Sequence, residues 1–286
     1  MKYLVYLFVL LYMQTFAASP DTVPVKSGYA TVNGLRMYYE IHGADGGLPL
    51  LLLPGGGSTI QTTYGVILPM LSAHRRVIAL EPQGHGHTAD RNSPFSFEQD
   101  ADDAAALLSQ LGIAQADVMG FSNGGNAAMQ LAVRHPSKVR RLVLCSVFYK
   151  KEGWVPGLEA MFRKADAAGM PPALRNAYTS TSPHPQKIDT LVSKLMGRLL
   201  TFKDWPDSML RGIQQPVLLM AGNQDVATLA HTTALFQLFP KGQLAIFPGG
   251  HGAYLGEAAA WVPGSRAPAS TAAMVEEFLA CSSSEK

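Results

Sequence analysis

Apolar and polar positions along the chain alternate between two kinds of segment. Six short runs are apolar almost throughout: residues 49–54 (PLLLLP), 76–81 (RVIALE), 116–121 (ADVMGF), 139–145 (VRRLVLC), 216–222 (PVLLMAG) and 242–248 (GQLAIFP). A strand can be apolar on both faces only where both faces are covered, as in a parallel sheet. Longer stretches with helical spacing lie between these runs, at 96–112, 123–135, 229–239 and 268–280. Ser96, with Gln99 three residues on and Gly112 at the far end, brackets the first of them as a capped helix. Ahead of the apolar runs, residues 28–43 (GYATVNGLRMYYEIHG) alternate on either side of Asn33-Gly34, a strong hairpin signal. Strand and helix in turn predict an α/β fold: a mostly parallel sheet flanked by helices, with the hairpin antiparallel at one edge.

The alternation fails once. Residues 148–212 hold short helical segments (GLEAMFRKADAAG, PPALRNAYTS, DTLVSKLMGRLL) and no buried strand. This predicts a small helical cap inserted after the sixth strand, over the end of the sheet where open α/β folds bind ligands. The expected core is then 19–147 together with 213–286.

Composition adds limits to this picture. The chain has 286 residues, 47% apolar and 15% charged, enough to bury a large core. Net charge is +2 without a Lys/Arg run, which removes any sign of a nucleic-acid surface. The start, MKYLVYLFVLLYMQTFAASP, reads as a secretory signal over residues 1–18: a lysine, a short apolar run, then small residues. The run is shorter than the ~20 residues a spanning helix needs. Secretion or export to a periplasm is therefore expected, with no stable membrane association after cleavage. The two cysteines, Cys145 and Cys281, allow one disulfide but do not require it, and buried free thiols are the expected state. Twelve methionines read as core filler.

One strand-to-helix corner carries candidate chemistry. Gly120-Phe121-Ser122-Asn123-Gly124 places a serine where an apolar run meets a helix. Such a corner drives its apex residue to positive φ, and the glycines avoid the collision of strand with helix. The hydroxyl is then held out at a helix N-terminus, beside the Asn123 N–H, where developing negative charge is stabilised. Serine needs a base, and the base needs an orienting carboxylate. Asp225 and His251 each follow an apolar run, in the chain order Ser, Asp, His. Asp204 and Asp207 are rival carboxylates.

With these residues in view, the chain resembles the α/β-hydrolase superfamily over about 28–281. RVIALEPQGHG, GFSNGGN, AGNQD and PGGHG resemble its capped, esterase-like branch of serine hydrolases. The resemblance implies Ser122 as nucleophile, His251 as base and Asp225 as orienting acid. It also implies an oxyanion hole from the backbone N–H groups of Gly56 and Asn123, and no cofactor. Dehalogenase and epoxide-hydrolase relatives have an aspartate where Ser122 stands, so the resemblance is to the hydrolases that use serine.

Two departures stand out. Pro54-Gly55 replaces the usual His-Gly at the oxyanion loop, and Glu81-Pro82-Gln83-Gly84-His85-Gly86 replaces Asp-x-Arg-Gly-His-Gly. Of the insertion aromatics, Phe148 and Trp154 are candidate substrate contacts, and Tyr149, Phe162 and Trp205 share that possibility with simple packing within the insertion. His85 and His87 lack a third ligand at metal spacing, and no metal is expected. His231 is expected at the surface. The reading is hydrolysis of a small-molecule carboxylic ester. Other chemistry on the same scaffold (C–C bond hydrolysis, lactone or amide cleavage, perhydrolysis) and a non-catalytic ligand-binding role remain open, and the oligomeric state is not legible.

Overall fold

A computed structural model describes residues 26–281. The expected signal segment, 1–18, lies outside the described residues. Eight strands form one sheet: β1 (Lys26–Val32), β2 (Leu35–His42), β3 (Leu50–Leu53), β4 (Val77–Leu80), β5 (Ala116–Phe121), β6 (Val139–Cys145), β7 (Val217–Gln224) and β8 (Gly242–Gly250). Their order is β1-β2-β4-β3-β5-β6-β7-β8. β1 and β2 pair antiparallel, β2 meets β4 antiparallel, and every pairing from β4 to β8 is parallel. The hairpin turns on Asn33 and Gly34, both at positive φ (47° and 77°), which matches the twist of a two-residue turn.

Among the described residues ten α-helices accompany the sheet: α1 (Ile60–Tyr64), α2 (Leu68–Ser72), α3 (Phe97–Gln110), α4 (Asn123–Arg134), α5 (Leu158–Lys164), α6 (Pro172–Thr181), α7 (Ile188–Leu200), α8 (Asp207–Arg211), α9 (Leu229–Phe236) and α10 (Ala267–Ala280). The apolar strands explain their two layers. Alternate side chains leave a strand on opposite faces. Leu51, Leu53, Ile78, Leu80, Val118, Leu142 and Leu144 join one core with residues of α3 and α4. Their neighbours Leu50, Leu52, Val77, Ala79, Met119, Val143 and Cys145 join a second core with α2 and α10. The Ser96 side chain accepts from Gln99 N and caps α3 as expected. The Gln99 side chain does not turn back to complete a capping box; it donates to Asp103 instead.

Between β6 and β7 the chain adds α5 to α8 and no strand of the sheet. Met170, Leu174, Tyr178, Leu191, Val192 and Leu195 of this insertion form a small separate core with Phe95, which the body contributes from just before α3. It is fastened to the body by α7, where Lys194 meets Asp90 and Arg198 meets Asp100, both pairs at 2.6 Å. Among the described residues no helix is long and apolar enough to cross a membrane. Both cysteines are free thiols. Cys145 is buried but Cys281 is exposed, contrary to expectation, because it directly follows the last turn of α10.

Candidate active site

Four side chains reach one rim of the sheet by the same device. Ser122, Ser146, Asp225 and His251 are each the first residue after a strand: β5, β6, β7 and β8 in turn. These strands are parallel neighbours, so the four positions fall side by side. The ladder runs on to hold the first two, with Ser122 N donating to Cys145 O and Ser146 N to Met220 O, both at 2.8 Å.

Ser122 sits at φ 53°, ψ −121°, a backbone region that non-glycine residues rarely enter. The flanking glycines make this corner possible. A Cβ on Gly120 would lie 2.3 Å from Gly124 O, and one on Gly124 would lie 2.2 Å from Leu53 O. Asn126 secures the next turn, its Nδ2 donating to Phe148 O at 2.8 Å. That bond joins the serine corner to the first residues of the insertion.

The ring of His251 bridges two of these groups. Its Nε2 is 2.9 Å from Ser122 Oγ and its Nδ1 is 2.6 Å from Asp225 Oδ1. A carboxylate only accepts, so Nδ1 carries the proton and Nε2 is bare towards the serine. Phe121 supports the ring, with centroids 4.7 Å apart. The rivals Asp204 and Asp207 lie elsewhere, at Lys151 N and Lys150 Nζ.

Asp225 is buried and well furnished with donors. Oδ2 accepts from Ser146 Oγ (2.5 Å) and Gly222 N (3.0 Å), and Oδ1 also accepts from Val226 N (2.7 Å). Burial works to raise the Asp225 carboxyl, but the hydrogen bonds from His251, Ser146 and Gly222 outweigh it and hold the group below its ordinary range. Behind Ser146 stands Tyr254, wholly buried, whose hydroxyl is 2.9 Å from Ser146 Oγ and 3.1 Å from Met220 O. Neither Ser146 nor Tyr254 was found from the sequence. The one available signal was position: Ser146 follows its strand at the same offset as Ser122.

The loop after β3 faces the serine corner. The backbone N–H groups of Gly56 and Asn123 donate to no other group among the described residues. Gly56 leaves room for the Asn123 side chain: a Cβ there would lie 1.9 Å from Asn123 Nδ2, which would have to move aside. Pro54 leaves the shaping of this loop to threonines and a tyrosine. Gly55 N donates to Thr63 Oγ1, Thr59 and Thr62 form a capping box, and Tyr64 OH holds Leu53 O at 2.8 Å. Glu81, also buried, ties the start of α1 to the next loop by accepting from Ile60 N and His87 N. Gln83 stands where the usual arginine would be and ties the following loop together through its amide. Its Nε2 donates to Asp90 Oδ1, Arg91 O and Ser93 O, and its Oε1 accepts from Arg91 Nε.

Other candidates fall outside this cluster. Phe148 and Trp154 pack edge to face with each other and with Phe97, Phe202 and Phe162 in an aromatic group continuous with the main core. A separate cavity in the insertion is lined instead by Phe162, by methionines and leucines, and by Gly56 and Gly57. His231 is buried rather than exposed. Gly153 makes room for its ring, Tyr149 stacks on it (4.7 Å), and its Nε2 accepts from Tyr149 N. Burial holds its pKa down, which keeps that nitrogen an acceptor. His85 and His87 point to different partners, Gln83 O and Glu81. Burial pushes His85 down to about 4, so the ring is neutral. No group of three or more His, Cys, Asp or Glu in metal-binding reach occurs among the described residues.

The sequence pattern of the family described as "alpha/beta hydrolase fold" matches residues 49–180. A 2-hydroxymuconate semialdehyde hydrolase of Pseudomonas sp. (strain CF600) is 35% identical over 130 residues, 44% of this chain and 45% of that enzyme. The match thus spans less than half the length of that relative. Among solved structures, a meta-cleavage product hydrolase from Pseudomonas fluorescens IP01 superposes with a TM-score of 0.73 at 22% identity, covering 89% of this chain and 97% of that one. An esterase from Rhodococcus sp. ECU1013 superposes with a TM-score of 0.69 at 22% identity, covering 89% and 98%.

Proposed function

We propose that this chain is a serine hydrolase of the α/β-hydrolase fold family, cleaving a small-molecule carboxylic ester through an acyl-enzyme. The observation that carries this reading is the bridging imidazole of His251, 2.9 Å from Ser122 Oγ and 2.6 Å from Asp225 Oδ1. Ser122 Oγ attacks the acyl carbon while His251 Nε2 takes its proton. Asp225 holds the ring in the required tautomer and offsets the charge the ring acquires. The carbonyl oxygen, now negative, is stabilised by the free N–H groups of Gly56 and Asn123, donors typically worth ~3 kcal/mol of barrier each. The alkoxide leaves with the proton from His251. Water activated by the same ring then attacks the acyl-enzyme, the acid departs, and Ser122 recovers its proton. The signal-like start at 1–18 supports action outside the cytoplasm.

The test is reaction with a fluorophosphonate probe, together with a burst on p-nitrophenyl acetate. Ser122→Ala should abolish the adduct and reduce turnover by ~10⁶. Asp225→Asn should reduce it by ~10⁴, because the wrong ring tautomer then faces the serine. A folded protein that gives no adduct but binds a ligand would instead be a binding protein on this scaffold.

A second reading, hydrolysis of a C–C bond next to a carbonyl, is favoured by the 35% identity to a 2-hydroxymuconate semialdehyde hydrolase. It uses the same serine, imidazole and oxyanion donors with carbon as the leaving atom. Turnover of a vinylogous diketone at a kcat/KM far above that of any ester would establish it in place of the ester reading.

A further inference from the structure

The insertion contains a cavity of about 410 Å³ that the chemistry above leaves without an occupant. Its size falls within the range of small-molecule sites, ~300–1,000 Å³. Phe162, Met170, Leu174, Val192 and Met196 line it, and it reaches the core at Gly56 and Gly57. Contact there is close: a Cβ on Gly57 would lie 2.9 Å from Met170 Cε, and one on Gly56 would lie 3.1 Å from Leu195 Cδ2. Gly56 in turn lies against Asn123, the neighbour of Ser122. The cavity therefore begins at the loop that carries one of the two oxyanion donors.

Resting on the ester-hydrolase reading, we propose that this cavity receives the acyl chain of the substrate and that the chain is an uncharged alkyl group. Stereochemistry separates acyl from alcohol. The departing oxygen must lie within reach of His251 Nε2 to collect its proton, so the alcohol extends on the His251 side. Neither His251 nor any residue of β7 or β8 lines the cavity, which adjoins the oxyanion loop. The remaining substituent of the carbonyl carbon is the acyl chain.

Charge separates alkyl from anionic chains. The charged lining residues are Lys164 and Asp166, both exposed and opposite in sign. The cations nearby on α7, Lys194 and Arg198, are outside the cavity and already paired with Asp90 and Asp100. A carboxylate at the end of the chain would lose water, and Lys164, exposed at the lining together with Asp166, would offer it only a solvent-screened partner. Three of the chain's methionines, Met161, Met170 and Met196, line this cavity, where unbranched thioethers adapt to chains of different length.

The whole protein is assayed with p-nitrophenyl acetate, butyrate, hexanoate and octanoate. Acetate esters of alcohols of the same lengths run beside them, as does p-nitrophenyl hydrogen adipate, and Ser122 is labelled with fluorophosphonate in every preparation. Each methylene withdrawn from water should raise kcat/KM by up to about fourfold, so the four that separate hexanoate from acetate set a ceiling of about 250-fold, and partial burial should still give a gain of about tenfold or more. The adipate ester, which matches hexanoate in length but ends in a carboxylate, should lose that advantage. Leu174→Trp and Met196→Trp should each cut the hexanoate-to-acetate ratio by about tenfold, and either one serves if the other fails to fold. A flat acyl series with Ser122 fully labelled overturns the assignment, as does a gain confined to the alcohol series, a ratio that neither tryptophan moves, or an adipate ester equal to hexanoate. Absence of the Ser122 adduct overturns the hydrolase reading itself, and the acyl assignment falls with it.

Discussion

Ser146 Oγ lies 2.5 Å from Asp225 Oδ2, the carboxylate oxygen not used by His251. Ser146 is thus joined to the acid and to Tyr254, while Ser122 is the serine joined to the imidazole. In the proposed mechanism Ser146 is a positioning residue, its hydroxyl hydrogen fixing the rotation of the carboxylate that orients the ring. Ser146→Ala removes a hydrogen bond to a charged group, a change of about 1.5–3 kcal/mol. It should lower kcat by about ten- to a hundredfold with KM little changed. Fluorophosphonate labelling should still occur, more slowly, and only at Ser122. Tyr254→Phe should do less, because the tyrosine hydrogen can be given to Met220 O as well as to Ser146.

Two glycines should respond in opposite directions to the same substitution. Gly124→Ala puts a methyl 2.2 Å from Leu53 O and 2.4 Å from Pro54 O, which are backbone atoms with nowhere to go. The loop that carries Gly56 follows directly, so the damage reaches the proposed oxyanion donors. Loss of several kcal/mol is expected, at the far end of what single substitutions cause. Gly197→Ala lies inside α7 and meets nothing within 4 Å. It should stabilise by about 0.5–1 kcal/mol, raising Tm by a few degrees. Paired thermal melts of the two variants check both signs.

The contrast shows which parts of this molecule a sequence can reveal. The six apolar runs were readable as strands because each face of this sheet is covered, and their alternate side chains divide between two cores. Ser122, Asp225 and His251 were readable because each follows such a run and because the elbow glycines answer to steric demands visible in the sequence. Ser146 follows a run as well, but no flanking glycines distinguish it from an ordinary serine. α1 and α2, at five residues each, are too short to give a helical period. The aromatic residues of the insertion were ambiguous because packing and substrate contact call for the same side chains. Only the fold shows Phe148 and Trp154 turned to the core, and Met161, Met170 and Met196 lining the cavity.

Arg198 and Asp100 join the insertion to α3 through a pair at 2.6 Å with almost no exposure, and Arg198 also covers the Phe97 ring at 4.6 Å. Burial raises the Asp100 carboxyl, and the adjacent guanidinium opposes that rise. Removing one partner leaves the other charge unpaired, a change that typically costs ~3–5 kcal/mol. Arg198→Met should therefore lower the urea midpoint sharply, and Asp100→Leu alone should do the same. The double variant should recover most of the loss, since an apolar pair of similar volume has no charge to strand. Additive losses in the double-mutant cycle would mean that the two residues do not stabilise one another.

Glu257 gives the protein a pH dependence of a definite sign. Its carboxyl is buried behind the His251 loop and accepts from Ala259 N at 2.8 Å. Burial raises its pKa, and that hydrogen bond and the proximity of His251 lower it only in part. The folded protein therefore holds this proton at a pH where the unfolded chain, with an ordinary Glu pKa of ~4.3, has released it. Stability from this group is fully present below the unfolded pKa and is lost as pH rises through the folded pKa. Glu257→Gln removes the charged form while keeping an acceptor for Ala259 N. Its Tm should match that of the parent near pH 4 and exceed it at pH 7, with the gap opening between the two pKa values. A gap that is constant with pH would mean that folding leaves the Glu257 pKa unmoved, and one that opens towards acid would mean that folding lowers it; either result overturns the prediction.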